Sequence, residues 1–510
     1  MLPVILIATF MAIFDFFVVN VAAPSLAHDL RAGPSSLELV VGGYAFAYAS
    51  GLVTGGRLGD LFGYRRMFLV GVGAFSMASL LCGLAQSPTE LVLGRLAQGL
   101  TAAVMVPQVL ALITSGFPAE ERRRALAWFG AAMGLGSVAG QVLGGLLLQA
   151  NVFRLGWRVI FLVNVPIGVL TVGLALRLVP RVAALARRRL DVVGALVLST
   201  SLGLALVPLV LGREDGWPLW GWACLAAAVP AMAVFVWWER RVGASRGDPL
   251  VDLALFADRA FVSGLAVNVA FMAFFGSFML GLTLFLQSGL GLDPLQAGLT
   301  FGPLGVVFAL ASVFGRQLAE RWGVGVIWRG VAISTLGLVA MAVELRVLGA
   351  GVGAVGLLPS MMVIGLGNGL VLPSLIGAVL SGVNPARAGS ASGVLVTAQQ
   401  FASAAGVAVM GLVFFGALGR ATTVAGYATA MGRVVVMDLA LMVVALCLTG
   451  LLPRQGLARR VLARRVLARR VLARRVLARV LAGRGGATAS HGSAAPAVPA
   501  CAEAAEWPAA

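Results

Sequence analysis

One acidic and one basic residue lie deep inside apolar runs of this chain. Asp15 lies about 13 residues into the first run, roughly 20 Å along a helix that rises 1.5 Å per residue. Arg95 lies about six residues inside the fourth run, roughly 9 Å down. Ionisable side chains at such depth are costly and suggest function. Burial favours a neutral aspartate and a nearby arginine favours a charged one, so a shared cavity would suit proton uptake and release.

Each of these residues also has a purely structural interpretation. Asp15 could hydrogen-bond Asn20 or a backbone group, and Arg95 could tie helices together through carbonyl oxygens. We favour proton coupling for Asp15, with its carboxyl pointing into the space between two helical bundles. The other acids associated with apolar runs are expected near the ends of those runs, where water solvates them. They are Glu90, Asp191, Glu344 and Asp438.

The elements that must position these residues are membrane-spanning helices. Of the 510 residues, 60% are hydrophobic and 11% are charged, and the mean hydropathy is +0.98. A soluble domain carries about 25% charged residues, so the solvent of this chain is lipid. Roughly 20 apolar residues cross a bilayer as one helix. Fourteen such runs are found, in the approximate windows 2–23, 38–56, 67–86, 89–113, 125–149, 157–177, 191–211, 217–238, 261–287, 295–315, 325–345, 352–381, 391–418 and 434–453.

The positive charge of the chain orients these spans. The net charge of +18 is no nucleic-acid signal, because eleven arginines are concentrated between Arg454 and Arg484. If the N-terminus is cytoplasmic, the internal loops before that tail hold nineteen arginines and the external loops hold seven. All cationic side chains are arginine, which indicates a GC-rich bacterial genome. We therefore expect a multi-pass protein of the bacterial inner membrane with both termini in the cytoplasm.

Two loops on the same side of the predicted topology share a pattern. Leu58–Gly63 and Leu318–Gly323 both read Leu, small residue, acid, any residue, aromatic, Gly, and each joins the second and third spans of its half. Internal repeats of this kind are typical of secondary transporters. The predicted fold is all-α, with two six-helix bundles and two inserted helices. We divide the chain into a first bundle at 1–180, linker helices and a cytoplasmic loop at 181–260, a second bundle at 261–453, and a basic, disordered cytoplasmic tail at 454–510.

Several segments resemble one transporter family. Phe14–Pro24, Gly56–Arg66, Leu93–Gly99 and Trp157–Gly168 are similar to signatures of the major facilitator superfamily. Within it they resemble the fourteen-span drug:proton antiporters of the EmrB/QacA type. The last segment is the most specific, and its subfamily signature residues are Trp157, Arg158, Asn164 and Pro166. The resemblance implies a major facilitator fold and export of small amphipathic compounds, either drugs or secondary metabolites, in exchange for protons.

The resemblance also implies a gate at the cytoplasmic face. Its candidate residues are Gly56, Arg57, Asp60, Gly63, Arg65 and Arg66. Asp60 would rest against the positive N-terminal end of span 13 near Gly389 and hold that side shut. The alternative is an ordinary solvated loop.

Span 5 departs from the family pattern. Antiporters of this superfamily usually carry a Gly-Pro pair there, and this chain has Gln141 in place of the proline. The glycines that allow close helix packing are retained, namely Gly136, Gly140, Gly144 and Gly145. The loss of proline leaves proton-coupled uptake open as an alternative to export. A membrane sensor that transports nothing is a further alternative. We favour it less, because such a protein has little need for an acid like Asp15 that is costly to bury in the membrane.

An aromatic stripe marks span 9. Phe271, Phe274, Phe275 and Phe278 share one helical face and could line a cavity suited to lipophilic cations. The alternative is that the stripe meets lipid or a neighbouring helix.

The remaining functional classes have little support. The chain has no Gly-x4-Gly-Lys-Ser/Thr loop for ATP, and its two histidines lie outside the deep parts of the spans. We therefore expect no enzyme activity, no cofactor, no metal and no nucleic-acid partner, and a monomer in the bilayer. The tail repeats Ala-Arg-Arg-Val-Leu from Ala458, and we interpret it as a repeat expansion without a role rather than a contact for anionic lipid.

Overall fold

The fold is that of a computed structural model, which describes residues 1–180, 191–212, 216–245, 249–381, 383 and 388–452. The described part is almost wholly helical and contains no strand. The basic tail repeat lies outside the described residues. The helices of the first half are α1 Leu2–Leu30, α2 Pro34–Phe62, α3 Tyr64–Leu84, α4 Pro88–Gly116, α5 Ala119–Ala150 and α6 Gly156–Leu178.

Eight further helices complete the chain. They are α7 Val192–Leu211, α8 Leu219–Ala244, α9 Arg259–Leu284, α10 Pro294–Trp322, α11 Gly325–Leu348, α12 Ala354–Ser381, α13 Ala388–Leu418 and α14 Val424–Thr449. Among the described residues, thirteen helices are long and apolar enough to cross a membrane. In α5, which is continuous, Ala139–Ala150 stands as a shorter apolar stretch. Each predicted window thus coincides with a helix, and the chain is a multi-pass membrane protein.

The largest difference from the predicted windows concerns the last helix. Its window begins at residue 434, whereas α14 begins at Val424, where the hydroxyl of Thr423 accepts a hydrogen bond from the Gly426 amide at 3.2 Å. The extra turns carry Gly, Ala and Thr, whose low hydropathy hides them from a search for apolar runs. As a result Asp438 lies in the middle of α14 and is fully buried. The prediction that Asp438 lies near a span end is wrong.

The helical array has two ends, which are distinguished by the turns that they carry. The Arg31 end holds the connection between α1 and α2, and the Gly63 end holds the connection between α2 and α3. Gly63 has a φ of 91°, which a residue with a side chain rarely adopts. That turn therefore requires glycine.

Helix packing repeats along the chain with an offset of eight helices. In the first half, α1 packs against α5, α2 against α4, and α3 against α6. In the second half, α9 packs against α13, α10 against α12, and α11 against α14. The halves meet mainly through two pairs, α2 with α13 and α5 with α10, and α1 adds smaller contacts with α9 and α10. The pair α7 and α8 stands apart from this pattern, since α7 lies on α2 and α13 while α8 packs mainly against α7.

Candidate functional site

Asp15 lies at the centre of a buried polar cluster in the first half. Its carboxylate accepts hydrogen bonds from the Arg95 guanidinium, from Gln98 Nε2 at 3.0 Å and from Asn164 Nδ2 at 2.8 Å. Neither Asp15 nor Arg95 has any exposed side-chain surface. Charge-assisted hydrogen bonds from three groups compensate a carboxylate that has lost its water. The structure therefore brings the two ionisable residues singled out from the sequence into direct contact.

Arg95 is held on several sides. Its Nε donates to the Val40 carbonyl oxygen at 3.0 Å, and its Nη1 also donates to Gln98 Oε1 at 2.8 Å. The guanidinium carbon lies 4.4 Å from the centre of the Tyr44 ring, which is a cation–π contact. Arg95 therefore does both things considered from the sequence. It pairs with the charge of Asp15, and it ties α4 to α2 through a backbone carbonyl oxygen.

Close packing of α4 on α2 places this arginine. A Cβ atom on Gly99 would lie 2.4 Å from the carbonyl oxygen of Tyr44, so only glycine fits there. Gln98, the residue before it, reaches Ser79 Oγ of α3 at 2.6 Å as well as Asp15. Gln98 thus joins three helices around the carboxylate. It belongs to the span 4 motif, but sequence reasoning assigned it no role.

The signature of α6 contributes to the same cluster. Its Asn164 begins the longer part of α6 after an interruption at Val163, and the Asn164 side chain points at Asp15. Pro166, two residues on, lacks an amide hydrogen and is tolerated in the first turn of that part. Trp157 is buried against Phe161, and Arg158 donates to the Ala85 carbonyl oxygen at 3.0 Å. Asn164 therefore belongs to the polar cluster, whereas the preceding Trp-Arg pair anchors the Arg31 end of the helix.

The Asp15 carboxyl does not point into the space between the halves. All its hydrogen-bond donors among the described residues belong to α4 and α6 of the first half. A buried carboxylate is stabilised most by fixed donors at short range, and these lie within its own half.

The predicted gate residues lie at the Gly63 end and have mixed partners. Asp60 accepts a hydrogen bond from the Tyr64 hydroxyl at 2.7 Å. Arg57 donates to the carbonyl oxygen of Pro249, in the connection between α8 and α9, and Arg65 donates to that of Leu176 in α6. Arg66 is exposed, and Gly56 would accept a Cβ at 3.8 Å from Pro107. The motif therefore ties α2 to the linker and α3 to α6.

Three glycines of α5 form a contact stripe against α1. Cβ atoms on Gly136, Gly140 and Gly144 would come within 3.1, 2.7 and 2.7 Å of α1 side chains. Gly145 faces the other half, where its Cβ would lie 2.4 Å from the Pro294 carbonyl oxygen of α10. These glycines let α5 touch both α1 and α10 at once.

A cavity lies between the two halves. Its lining comes from α1, α5, α9 and α10 and includes Phe17, Gln141, Phe275, Met279, Phe301 and Phe308. The Phe17 and Phe275 rings meet edge to face with centroids 6.0 Å apart. Between this cavity and the Arg31 end, Gln287 Nε2 donates to the Val21 carbonyl oxygen at 2.7 Å. That bond links α1 to the turn that follows α9.

Only one residue of the aromatic stripe lines this cavity. Phe275 contributes to the wall, whereas Phe271, Phe274 and Phe278 have no exposed surface and pack inside the second half. A shared helical face is wide enough to meet both a cavity and a neighbouring helix, and periodicity does not tell these apart. The structure does not place the whole stripe on a cavity.

Besides Asp15, three acids are buried among the described residues, and the sequence analysis gave none of them a functional role; they are Glu38, Glu239 and Asp438. Asp438 in α14 lies beside Ser277 of α9 and is fully buried. Glu38 in α2 is 1% exposed, and a Cβ on Gly411 of α13 would collide with its carboxyl group. For Asp438, the depth became visible only once the true start of α14 was known. Within the described residues, no group of three or more His, Cys, Asp or Glu side chains is placed to hold a metal.

Comparison with known proteins gives a consistent family. A family model described as Major Facilitator Superfamily matches residues 5–407. The "Probable actinorhodin transporter" of Streptomyces coelicolor is 39% identical over 400 residues, which cover 78% of this chain and 69% of that protein. The "Cephamycin export protein CmcT" of Amycolatopsis lactamdurans is 36% identical over 410 residues, covering 77% of this chain and 80% of the relative.

Solved structures share the fold at low sequence identity. An auto-inhibited peptide transporter of the POT family has a TM-score of 0.66 and 15% identity, covering 89% of this chain and 97% of its own. A bacterial homologue of the human lysosomal transporter Spinster, inward-facing and occupied, has a TM-score of 0.63 and 17% identity over 90% of this chain and 97% of its own.

Proposed function

The chain belongs to the Major Facilitator Superfamily, and from this premise we propose that it exports small amphipathic compounds from a bacterial cell in exchange for protons. It is a membrane transporter and not an enzyme. Relatives named as export and resistance proteins support a role in drug or metabolite efflux. Membership of the fourteen-span drug:proton antiporter group is part of the proposal.

The buried pair of Asp15 and Arg95 is the observation that carries proton coupling. A proton that reaches Asp15 removes the negative charge that holds the guanidinium. Arg95 would then keep its bonds to Val40 and Gln98 but lose its counter-ion. Such a change alters the packing of α1 against α4 and α6, because the three helices share this cluster. Protonation at one residue is thereby converted into helix movement.

The contacts between the halves support alternating access. Along the α2–α13 pair, Thr397 donates to the Ala49 carbonyl oxygen at 3.2 Å, and Gln287 donates to the Val21 carbonyl oxygen between the same two halves. Small residues along both pairs, such as Gly298 against Gln141, allow helices to slide or rock. Because α1 carries both Asp15 and the cavity residue Phe17, a shift of α1 reaches the cavity directly.

Uptake is the alternative direction, since Gln141 replaces the proline expected of antiporters. A strain that lacks the gene, compared with the same strain carrying it, decides between them. Accumulation of a panel of cationic and neutral drugs is measured with and without a protonophore. We expect lower accumulation when the protein is present and no difference once the proton gradient is collapsed. Higher accumulation would mean uptake, and an unchanged difference after collapse would contradict proton coupling.

A further inference from the structure

Two acids of the inserted helices face each other at the Gly63 end. Asp191 caps the start of α7, because its carboxyl accepts hydrogen bonds from the Gly194 amide at 2.8 Å and from the Trp238 indole at 3.0 Å. Glu239 lies in the last turns of α8 and is 1% exposed. A Cβ atom on Gly194 would lie 2.5 Å from Asp191 Oδ2 and 2.6 Å from Glu239 Oε1. The two carboxyl groups therefore border the same small space.

The hydrogen-bond donors around this pair leave one oxygen without a partner. Glu239 Oε2 accepts the Val251 amide at 3.0 Å, whereas Glu239 Oε1 has no donor among the described residues. The charged groups that act on Glu239 are Asp191 and, from α2, Arg57, whose Nη2 donates to the Pro249 carbonyl oxygen. Two adjacent carboxylates repel each other, and one proton held between them removes that repulsion. A proton on Glu239 Oε1 satisfies the unpartnered oxygen and both carboxyl groups.

The same glutamate fixes the chain segment that leads into the second half. Residues 249–258, called here the α8–α9 segment, join α8 to α9 and bury the side chains of Leu250, Val251 and Leu255. Glu239 holds this segment from α8 through the Val251 amide, and Arg57 of the gate motif holds it from α2 through Pro249. The seated segment thus connects the inserted helices to the gate motif.

We propose that Asp191 and Glu239 form a proton-binding site that senses the pH at the Gly63 end and controls the seating of the α8–α9 segment. With the proton bound, Glu239 stays buried and keeps the Val251 amide. When the proton leaves Glu239 Oε1 for water, a second negative charge appears beside Asp191. Glu239 then turns to solvent and releases the amide, so α2 is no longer tied to α8. In the predicted orientation this end is cytoplasmic, which gives α7 and α8 a regulatory role beyond the proposed export function.

Hydrogen–deuterium exchange of the α8–α9 segment in the purified protein tests the proposal. The closed arrangement binds one proton more than the open one, so acid stabilises it and alkali weakens it. In wild type, the protection of the segment should fall by up to about tenfold per pH unit above neutrality, after correction for the intrinsic exchange rate at each pH. Glu239→Gln keeps an acceptor for Val251 and a donor for Asp191 but cannot titrate, so its protection should stay high at alkaline pH.

A second variant and a control make the test independent of one substitution. Asp191→Asn still caps α7 but removes one carboxyl group, so it should lose the pH dependence as well. Glu344→Gln changes a carboxyl group of the second half that accepts a hydrogen bond from Ser360, and it should keep the wild-type pH dependence.

Three results would overturn the proposal. They are protection that does not change with pH in wild type, an unaltered pH dependence in both Glu239→Gln and Asp191→Asn, and protection that sodium or calcium ions restore at alkaline pH and constant ionic strength. The last result would mean that the pair binds a cation instead. The measurement uses no substrate and no proton gradient, so a protein that exports while its segment ignores pH contradicts only this inference.

Discussion

At the scale of single residues, the Asp15 cluster shows how a charge survives in a membrane. Asp15 and Arg95 neutralise each other through Oδ2 of the carboxylate, while Gln98 and Asn164 both donate to its Oδ1. Removing one member of a buried ion pair costs more than the pair contributes, because the other charge is left without compensation. Stability and coupling at this site are therefore separable by mutation.

Asp15→Asn should lower the free energy of unfolding by about 3–5 kcal/mol, since it leaves Arg95 buried and unpaired. The double variant Asp15→Asn with Arg95→Gln removes both charges and should recover most of that stability. Both variants should lose proton-driven export. Thermal denaturation in detergent and drug accumulation in cells measure the two effects.

Asp29→Asn is the matched control, because Asp29 lies on the same helix but is exposed. It should resemble wild type in both assays. If the double variant still exports against a gradient in a proton-dependent manner, Asp15 is structural and the proton uses another route.

At the scale of elements, close contact between α2 and α4 positions the cluster. Gly99 leaves no room for a side chain beside the Tyr44 carbonyl oxygen, and Arg95 lies one turn before it beneath the Tyr44 ring. The separation of two helices thus determines where a guanidinium meets a carboxylate.

Gly99→Val should push α4 away from α2 and destabilise the protein by about 1–3 kcal/mol, the usual cost of overpacking. Gly73→Val is the control for the valine itself, because a Cβ at Gly73 meets nothing within 4 Å. The difference in melting temperature between the two variants isolates the packing effect. Equal melting temperatures would mean that α2 and α4 tolerate a larger separation.

At the scale of the whole molecule, the repeated packing of two halves suits a transporter whose halves rock against each other. Asp60 is the candidate residue that would hold the Gly63 end shut by contact with the start of α13. We expect Asp60→Ala to impair transport at least tenfold while the protein still reaches the membrane. Tyr64→Phe removes the hydroxyl that donates to Asp60 and serves as the matched variant. If both variants lose transport equally, Asp60 acts through Tyr64 rather than through the start of α13.

The orientation of the molecule is a separate prediction. Arginine asymmetry predicts that both termini lie in the cytoplasm. A fluorescent protein fused after residue 452 should therefore fluoresce, and an alkaline phosphatase fused at the same point should be inactive. The opposite pair of results would invert the topology.

The sequence by itself determined the fold class, because hydropathy is a local property. Twenty apolar residues need a helix in lipid whatever their neighbours are, so each predicted window coincides with a helix. The family followed from short motifs such as Gly56–Arg66, and Asp15 stood out because an acid deep in an apolar run is rare.

The tertiary structure alone decided which side chains meet. Gln98 and Asn164 are far apart in sequence, and only helix packing brings both to Asp15. The buried position of Asp438 depended on a Thr423 cap and on a weakly apolar first part of α14, which hydropathy does not register. From the sequence, Gln141 was noted only as the residue that replaces an expected proline. Its position in the lining of an aromatic cavity follows from the packing of four helices. Contacts between distant residues depend on which helix faces pack together, and no local pattern in the chain encodes that.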